Sequence, residues 1–253
     1  RHGYAFARTG IIQVGECWPD HRMFIELGKR LGQEKYWRDD VESDLDYILE
    51  PSGLTWQKFK EMGYLQGKME YKKYERKGFA TPTGKVELYS KTLEEWGYDP
   101  LPQYREIPES PVSKPEMARE YPYILITGAR SPVFFHSEYY MIPWLREVHP
   151  DPTIEIHPDT ARKHGISDGD WVFIESPRGR AKQRAKLTTG IDPRVVSAEH
   201  GWWFPEVQTP DHGWKQSNIN ILTDNDPSGY DMAMGATNLR VLLCKIYPAE
   251  KED

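Results

Sequence analysis

Cysteine is nearly missing from this sequence: Cys17 and Cys244 are the two in 253 residues. Neither stands in a C-x-x-C context, so they cannot build a zinc site or hold an iron–sulfur cluster. Two cysteines so far apart give no disulfide framework either, and both read as unpaired thiols with a packing role. No apolar run comes near the ~20 residues a helix needs to cross a bilayer, so no direct membrane insertion is expected. An excess of positive charge is also lacking. The 33 Lys and Arg against 39 Asp and Glu leave a net charge of −6, which gives no support to nucleic-acid binding. No H-E-x-x-H pair, Walker A loop, Ser–His–Asp order or paired-carboxylate motif occurs, so neither a protein-ligated metal nor a small hydrolase is indicated. The opening Arg1-His2-Gly3-Tyr4 has no initiator Met and no apolar signal core. The expectation is a piece of a longer chain, one that lacks a catalytic constellation of its own.

What is present is apolar enough to fold. With 13% aromatic residues, the chain has too much apolar area to leave solvated. Residues 1–100 read as a mostly helical lead-in. Asp20–Gly32 is amphipathic, with Met23, Phe24, Leu27 and Leu31 on one face. A second helix is expected over Asp40–Leu49. A third is expected from a Thr55 cap to Gly63, burying Trp56, Phe59 and Met62. After the turn Thr81-Pro82-Thr83-Gly84 comes an extended stretch, Val86–Tyr89, and Ser90 then caps a brief helix that Gly97 ends. Residues 101–121 are proline-rich and read as a semi-rigid linker. From 122 to 253 the texture is strand-rich. Strands are expected at Tyr123–Thr127, Thr153–Ile156, Trp171–Glu175, Arg180–Leu187, Arg194–Ala198, Ile219–Leu222 and Leu239–Ile246. About seven strands with short helices between them argue for a closed β-barrel with helical insertions, in a mainly β fold.

Four segments carry candidate chemistry. Thr127-Gly128-Ala129-Arg130 through His136-Ser137 reads as a strand end, a loop with a guanidinium, and a helix starting near Ser137. Free backbone N–H groups, an Arg fork and a helix N-terminus all suit phosphate oxygens, although an ordinary capped loop also fits. His200-Gly201-Trp202-Trp203-Phe204 follows a strand and offers either a stacking wall for a flat heterocycle or barrel-end core. Asn218 and Asn220, two apart, aim both amides one way if the segment is extended, so that they can read a ring edge; turn-forming Asn is the competing reading. Arg180, Lys182, Arg184 and Lys186 alternate along one strand, forming either an anion-binding surface or, the reading favoured, a solvated face that blocks edge pairing.

Taken in order, these segments resemble the C-terminal region of the dimethyl sulfoxide reductase family of molybdopterin oxidoreductases. The resemblance rests on "HRMFIELGKRLG" at 21–32, "TPTGKVELYS" at 81–90 and "GYDPLPQY" at 97–104. It continues through "ITGAR" to "FFHS" over 126–137, "IEIHPDTARKHGISDGDWVFIESPRG" at 154–179, "AEHGWWFPE" and "SNINILT". Among the branches, the segments look closest to acetylene hydratase and the thiosulfate or polysulfide reductases. The resemblance implies a double-psi β-barrel (aspartate-decarboxylase-like) from about residue 120. It also implies a pterin guanine dinucleotide, usually in two copies, carrying molybdenum or tungsten. By position, Thr127, Gly128, Arg130, His136 and Ser137 would line one side of the dinucleotide, with His200, Gly201, Trp202, Asn218 and Asn220 as a second wall. Many relatives place Arg directly after Thr-Gly, whereas here Ala129 intervenes. The family's metal ligand and its cysteine-bound iron–sulfur cluster lie upstream, so the missing N-terminal domains of the same polypeptide are the first expected partner. An electron-transfer subunit is a further one. Family members occur in both cytoplasm and periplasm. The alternative expectation is a stand-alone double-psi barrel serving as a binding or assembly module without redox chemistry.

Overall fold

A computed structural model describes residues 3–231 and 233–249, so Arg1 and His2 lie outside it. The chain divides into two compact units, Arg1–Glu87 and Leu88–Asp253.

In the first unit, strands β1 (Tyr4–Phe6) and β2 (Tyr64–Gln66) pair antiparallel beside helices α1 (Asp20–Arg30), α2 (Val41–Leu49), α3 (Trp56–Met62) and α4 (Tyr74–Lys77). The caps fall where the side-chain chemistry directs them. Asp40 accepts from the Ser43 N–H at 2.8 Å and Thr55 from the Lys58 N–H at 3.2 Å, while Gly63 leaves α3 at φ +73°. The expected α1 stripe is not the buried one. Met23, Phe24, Leu27 and Leu31 are exposed, and the inward positions are Ile25 and Gly28. Gly28 explains the rotation: a Cβ there would stand 2.0 Å from Trp37 Nε1, so the indole lies against bare backbone. In α3 only Phe59 is buried. Val86–Tyr89 forms no strand; instead Glu87 folds back to accept from Thr83 N–H (3.0 Å) and O–H (2.9 Å).

The second unit begins with α5 (Lys91–Glu95), capped by Ser90, and α6 (Pro115–Glu120), with Pro at its first turn. Six strands then form a closed barrel: β3 (Tyr123–Ala129), β4 (Thr153–Ile156), β5 (Trp171–Ser176), β6 (Gly179–Leu187), β7 (Val195–Glu199) and β8 (Leu242–Pro248), in the order β3-β7-β4-β6-β5-β8. The β3–β7 and β4–β6 pairs are parallel and the other four antiparallel, the mixed pattern of a double-psi barrel. Helices α7 (Pro143–Val148), α8 (Pro158–Lys163) and α9 (Trp214–Ser217) occupy the connections. None of the described helices is long and apolar enough to cross a membrane.

The barrel interior follows from period-two alternation. Ile154 and Ile156, Val172 and Ile174, Ala181 and Ala185, Val196 and Ala198, and Leu242, Cys244 and Ile246 all face inward and are buried. Each large aliphatic side chain among them contributes about 1.5–3 kcal/mol. Burial also pushes the Cys244 thiol far above its ordinary range. The segment Ile219–Leu222 is a 3₁₀ turn rather than the expected strand, because the Asn218 side chain accepts from the Asn220 N–H (3.0 Å) and coils the chain. That coil drives Ile219 and Leu222 into the core like a plug. Strand β6 is no edge, being bonded to both β4 and β5. Its cations lie on the outer face against aromatic rings and carboxylates: Arg180 over Phe173 (4.5 Å), Arg184 over Trp171 (4.4 Å), and Lys186 to Glu155 (3.0 Å).

The proline-rich stretch is folded onto the barrel unit. Glu109 is buried, pairs with the Arg178 guanidinium on the β5–β6 turn, and accepts from the Leu243 N–H of β8 at 2.8 Å. Arg178 Nη1 also donates to the Leu222 carbonyl at 3.3 Å, so one ion pair joins three segments. Removing Glu109 leaves the Leu243 N–H without its acceptor and Arg178 with only the longer contact to Asp224 (3.7 Å). Glu109→Ala should therefore lower unfolding stability by roughly 3 kcal/mol, read as a fall in the urea midpoint. An unchanged midpoint would show that Glu109 does not hold this corner.

Candidate functional site

Strands β3 and β7 run parallel side by side, with Ala129 opposite Glu199. Their C-terminal ends therefore open at the same rim, and the two loops that leave them must meet. Parallel neighbours make this kind of crevice by construction. It is bordered by Arg130, Ser131, Phe134, His136, Glu199 and His200, with Tyr140 at its base.

The loop after β3 enters no helix at Ser137. Phe135–Glu138 closes as a turn with Glu138 N–H to the Phe135 carbonyl at 2.9 Å. His136 (φ +52°) and Tyr139 (φ +79°) are left-handed, and the next helix begins at Pro143. The helix-N-terminus part of the phosphate expectation is thus overturned, and the donors here are side chains and loop backbone. Thr127 donates its hydroxyl to the Leu239 carbonyl, which turns it toward the 239 segment. Gly128 is exposed, with nothing within 4 Å of where a Cβ would stand, and Arg130 is exposed beside it.

The two loops are joined at two histidines. His200 Nδ1 lies 3.0 Å from the Ala129 carbonyl, and its Nε2 lies 3.0 Å from His136 Nδ1. A carbonyl only accepts, so Nδ1 of His200 carries the hydrogen. In the neutral ring its Nε2 then accepts, and His136 Nδ1 must be the donor. One backbone carbonyl thereby sets both tautomers. Gly201 follows at φ +79°, where a Cβ would lie 3.3 Å from the His136 carbonyl carbon and the Ser137 nitrogen. Glycine at 201 lets the loops touch backbone to backbone. Trp203 Nε1 donates to the Ser137 carbonyl at 2.7 Å, closing the same contact from the other side.

Trp202 is not a wall for a ligand. It is wholly buried among Phe134, Tyr140 and Phe204, with ring centroids 5.7, 4.5 and 6.3 Å away. The alternating inward residue of this loop became barrel-end core, the competing reading of the aromatic run. Tyr140 donates to the His136 carbonyl at 2.8 Å. Burial, and after it the Glu199 charge, holds its phenol well above the usual range.

Asn218 and Asn220 do not share an extended face. Asn218 is turned onto its own backbone as the cap described above, and Asn220 is left exposed on the 3₁₀ turn. Their segment still reaches the rim through a residue that the motif reading passed over. Gln183, wholly buried on β6, donates to the Glu199 carbonyl (2.8 Å) and the Ser217 carbonyl (3.2 Å). Glu199, likewise not singled out beforehand, holds His149 (2.8 Å) and the Thr153 N–H (2.8 Å) with its carboxylate. Its negative charge is thus engaged behind the crevice. A polar residue at an inward position of "RAKQRAK" was the available signal for Gln183.

Residues 123–237 match the model of the molydopterin dinucleotide binding domain. An acetylene hydratase from Syntrophotalea acetylenica is 36% identical over 97% of this chain and 35% of its own length. A dopamine dehydroxylase from Eggerthella lenta is 42% identical over 70% of this chain and 17% of its own. The solved structure of acetylene hydratase from Pelobacter acetylenicus superposes with a TM-score of 0.86 at 33% identity, covering 97% of this chain and 35% of that one. The chain thus spans about a third of the length of such relatives, or less.

Because Trp202 packs as core, Trp202→Ala should lower unfolding stability by about 3–5 kcal/mol, measured by chemical denaturation. A loss below 1 kcal/mol would return Trp202 to the list of ligand-facing residues.

Proposed function

Since this chain belongs to the dimethyl sulfoxide reductase family and carries its molydopterin dinucleotide-binding domain at residues 123–237, we propose that the rim formed by the β3 and β7 loops covers a pterin guanine dinucleotide. On this reading the chain is the C-terminal portion of a molybdenum or tungsten oxidoreductase. Upstream domains supply the metal ligand and the iron–sulfur cluster, and an electron-transfer subunit receives or delivers electrons.

The observation that carries the reading is the donor set at the rim. The Arg130 guanidinium, the Ser131 hydroxyl and two histidines border the crevice, and Gly128 leaves backbone open to approach. Glu199, the one carboxylate among the described residues bordering the crevice, is engaged by His149 and Thr153. The Arg130 fork of N–H groups suits diphosphate oxygens, while the two histidines, bonded to each other and to the Ala129 carbonyl, hold the loops in place. When bound, the pterin would hold the metal and supply the redox chemistry. The residues of this chain bind the nucleotide tail, orient it, and exclude water from its flank. Relatives named for acetylene hydration and for dopamine dehydroxylation share this region. That breadth supports a role indifferent to substrate, with substrate choice made elsewhere in the polypeptide.

In the full-length protein, Arg130→Ala and His136→Ala are each expected to lower guanine nucleotide and metal per polypeptide several-fold. Substrate preference of the enzyme that remains loaded should be unchanged. Nucleotide released by acid and quantified chromatographically, with metal by elemental analysis, checks this. Full loading in both variants would remove the β3 loop from the cofactor site.

A further inference from the structure

Gln183 occupies a position with no simple packing role. It faces inward on β6 between Ala181 and Ala185, is wholly buried, and is polar where its strand neighbours are methyl groups. Its three hydrogen bonds all go to two peptide segments. Its Nε2 donates to the carbonyls of Glu199 (2.8 Å) and Ser217 (3.2 Å), and its Oε1 accepts from the Glu199 N–H (3.1 Å). Each partner immediately precedes a residue of the candidate site, His200 in one case and Asn218 in the other.

The ladder geometry says why a side chain is used. Strand β4 lies between β6 and β7, and its pairing begins at Thr153 opposite Arg184 and at Ile154 opposite Ala198. Gln183 and Glu199 are each one residue beyond those pairs, where Thr153 gives its N–H to the Glu199 carboxylate (2.8 Å) and Pro152 its carbonyl to Arg184 (2.8 Å), and the regular ladder stops. The Gln183 amide spans the gap and bonds both the N–H and the carbonyl of Glu199, as a strand neighbour would. Its second N–H fastens Ser217, the last residue of α9.

We infer that Gln183 is a positioning residue that sets the spacing between the β7 loop bearing His200 and the 217–220 segment bearing Asn218 and Asn220. This rests on the proposed cofactor role of that rim. Gln183 touches no ligand itself; it acts through the backbone of Glu199 and Ser217. With its amide removed, the barrel retains its apolar core, but the two segments lose their common anchor.

The test uses the full-length, cofactor-loaded protein and four variants. Gln183→Met keeps the volume and removes the hydrogen bonds. Ile246→Val, in the β8 core and remote from the rim, is a general destabilisation control. His200→Ala reports on the rim itself. For each, guanine nucleotide retained after dilution is followed with time at a temperature below the melting midpoint. Gln183→Met should release nucleotide on the order of tenfold faster, while Ile246→Val releases it at the parental rate. Gln183→Asn, which keeps the amide but withdraws it by one methylene, should fall between and carries the test if the Met variant does not fold. Release from the Gln183 variants no faster than from Ile246→Val, with His200→Ala releasing fast, would overturn the inference and leave the rim assignment standing. Parental release from His200→Ala would overturn the rim assignment on which it rests.

Discussion

The parallel pairing of Tyr123–Ala129 with Val195–Glu199 is the constraint from which the open end of this barrel follows. Two parallel neighbours finish at the same height, so their outgoing loops are forced together although 64 residues separate His136 from His200. The contact then needs a site without a side chain at Gly201, a carbonyl acceptor at Ala129, and support from behind. The support comes from Glu199 and Gln183, whose partners tie β4, β6, β7 and α9 into one polar layer. Above this layer the loops are polar and open; below it lies aliphatic core. The barrel thus changes character within one residue of the strand end.

The polar layer also explains the division of labour among aromatic residues. Phe134, Tyr140, Trp202 and Phe204 form a second small core under the loops, so the left-handed turns at His136 and Tyr139 are backed by rings. A loop supported in this way can hold donors in place without a helix end to do it.

Most of the barrel was legible because period-two alternation is a direct imprint of a two-sided sheet. "TIEI", "WVFIES" and "RAKQRAK" declare which side faces the core, and glycine and proline mark the turns between them. The caps at Asp40, Thr55 and Ser90 were readable for a similarly local reason. Reading failed where tertiary contacts decide. Ile219–Leu222 has strand-like composition, yet one Asn side chain coils it. Ser137 looks like a cap, but the rings beneath the loop favour a tight turn. The α1 face was misassigned because the indole of Trp37 selects Gly28, a contact that no helical periodicity contains. The first three motifs of the rim were visible as residue types, whereas Gln183 and Glu199 act across strands, and their meaning appears only with the register. Resemblance carried the cofactor assignment further than any single motif did.

The Glu109–Arg178 pair bears on how such a barrel can be inherited. The family match begins at residue 123, yet the carboxylate that neutralises Arg178 and bonds Leu243 lies fourteen residues earlier. A gene fusion or recombination event cutting at the apparent domain edge would therefore carry the arginine without its nearer counter-ion, leaving it the longer contact to Asp224 (3.7 Å). The structural unit is longer than the matched domain. Segments upstream of the barrel would be expected to travel with it, their proline-rich texture recording a docking track rather than a spacer.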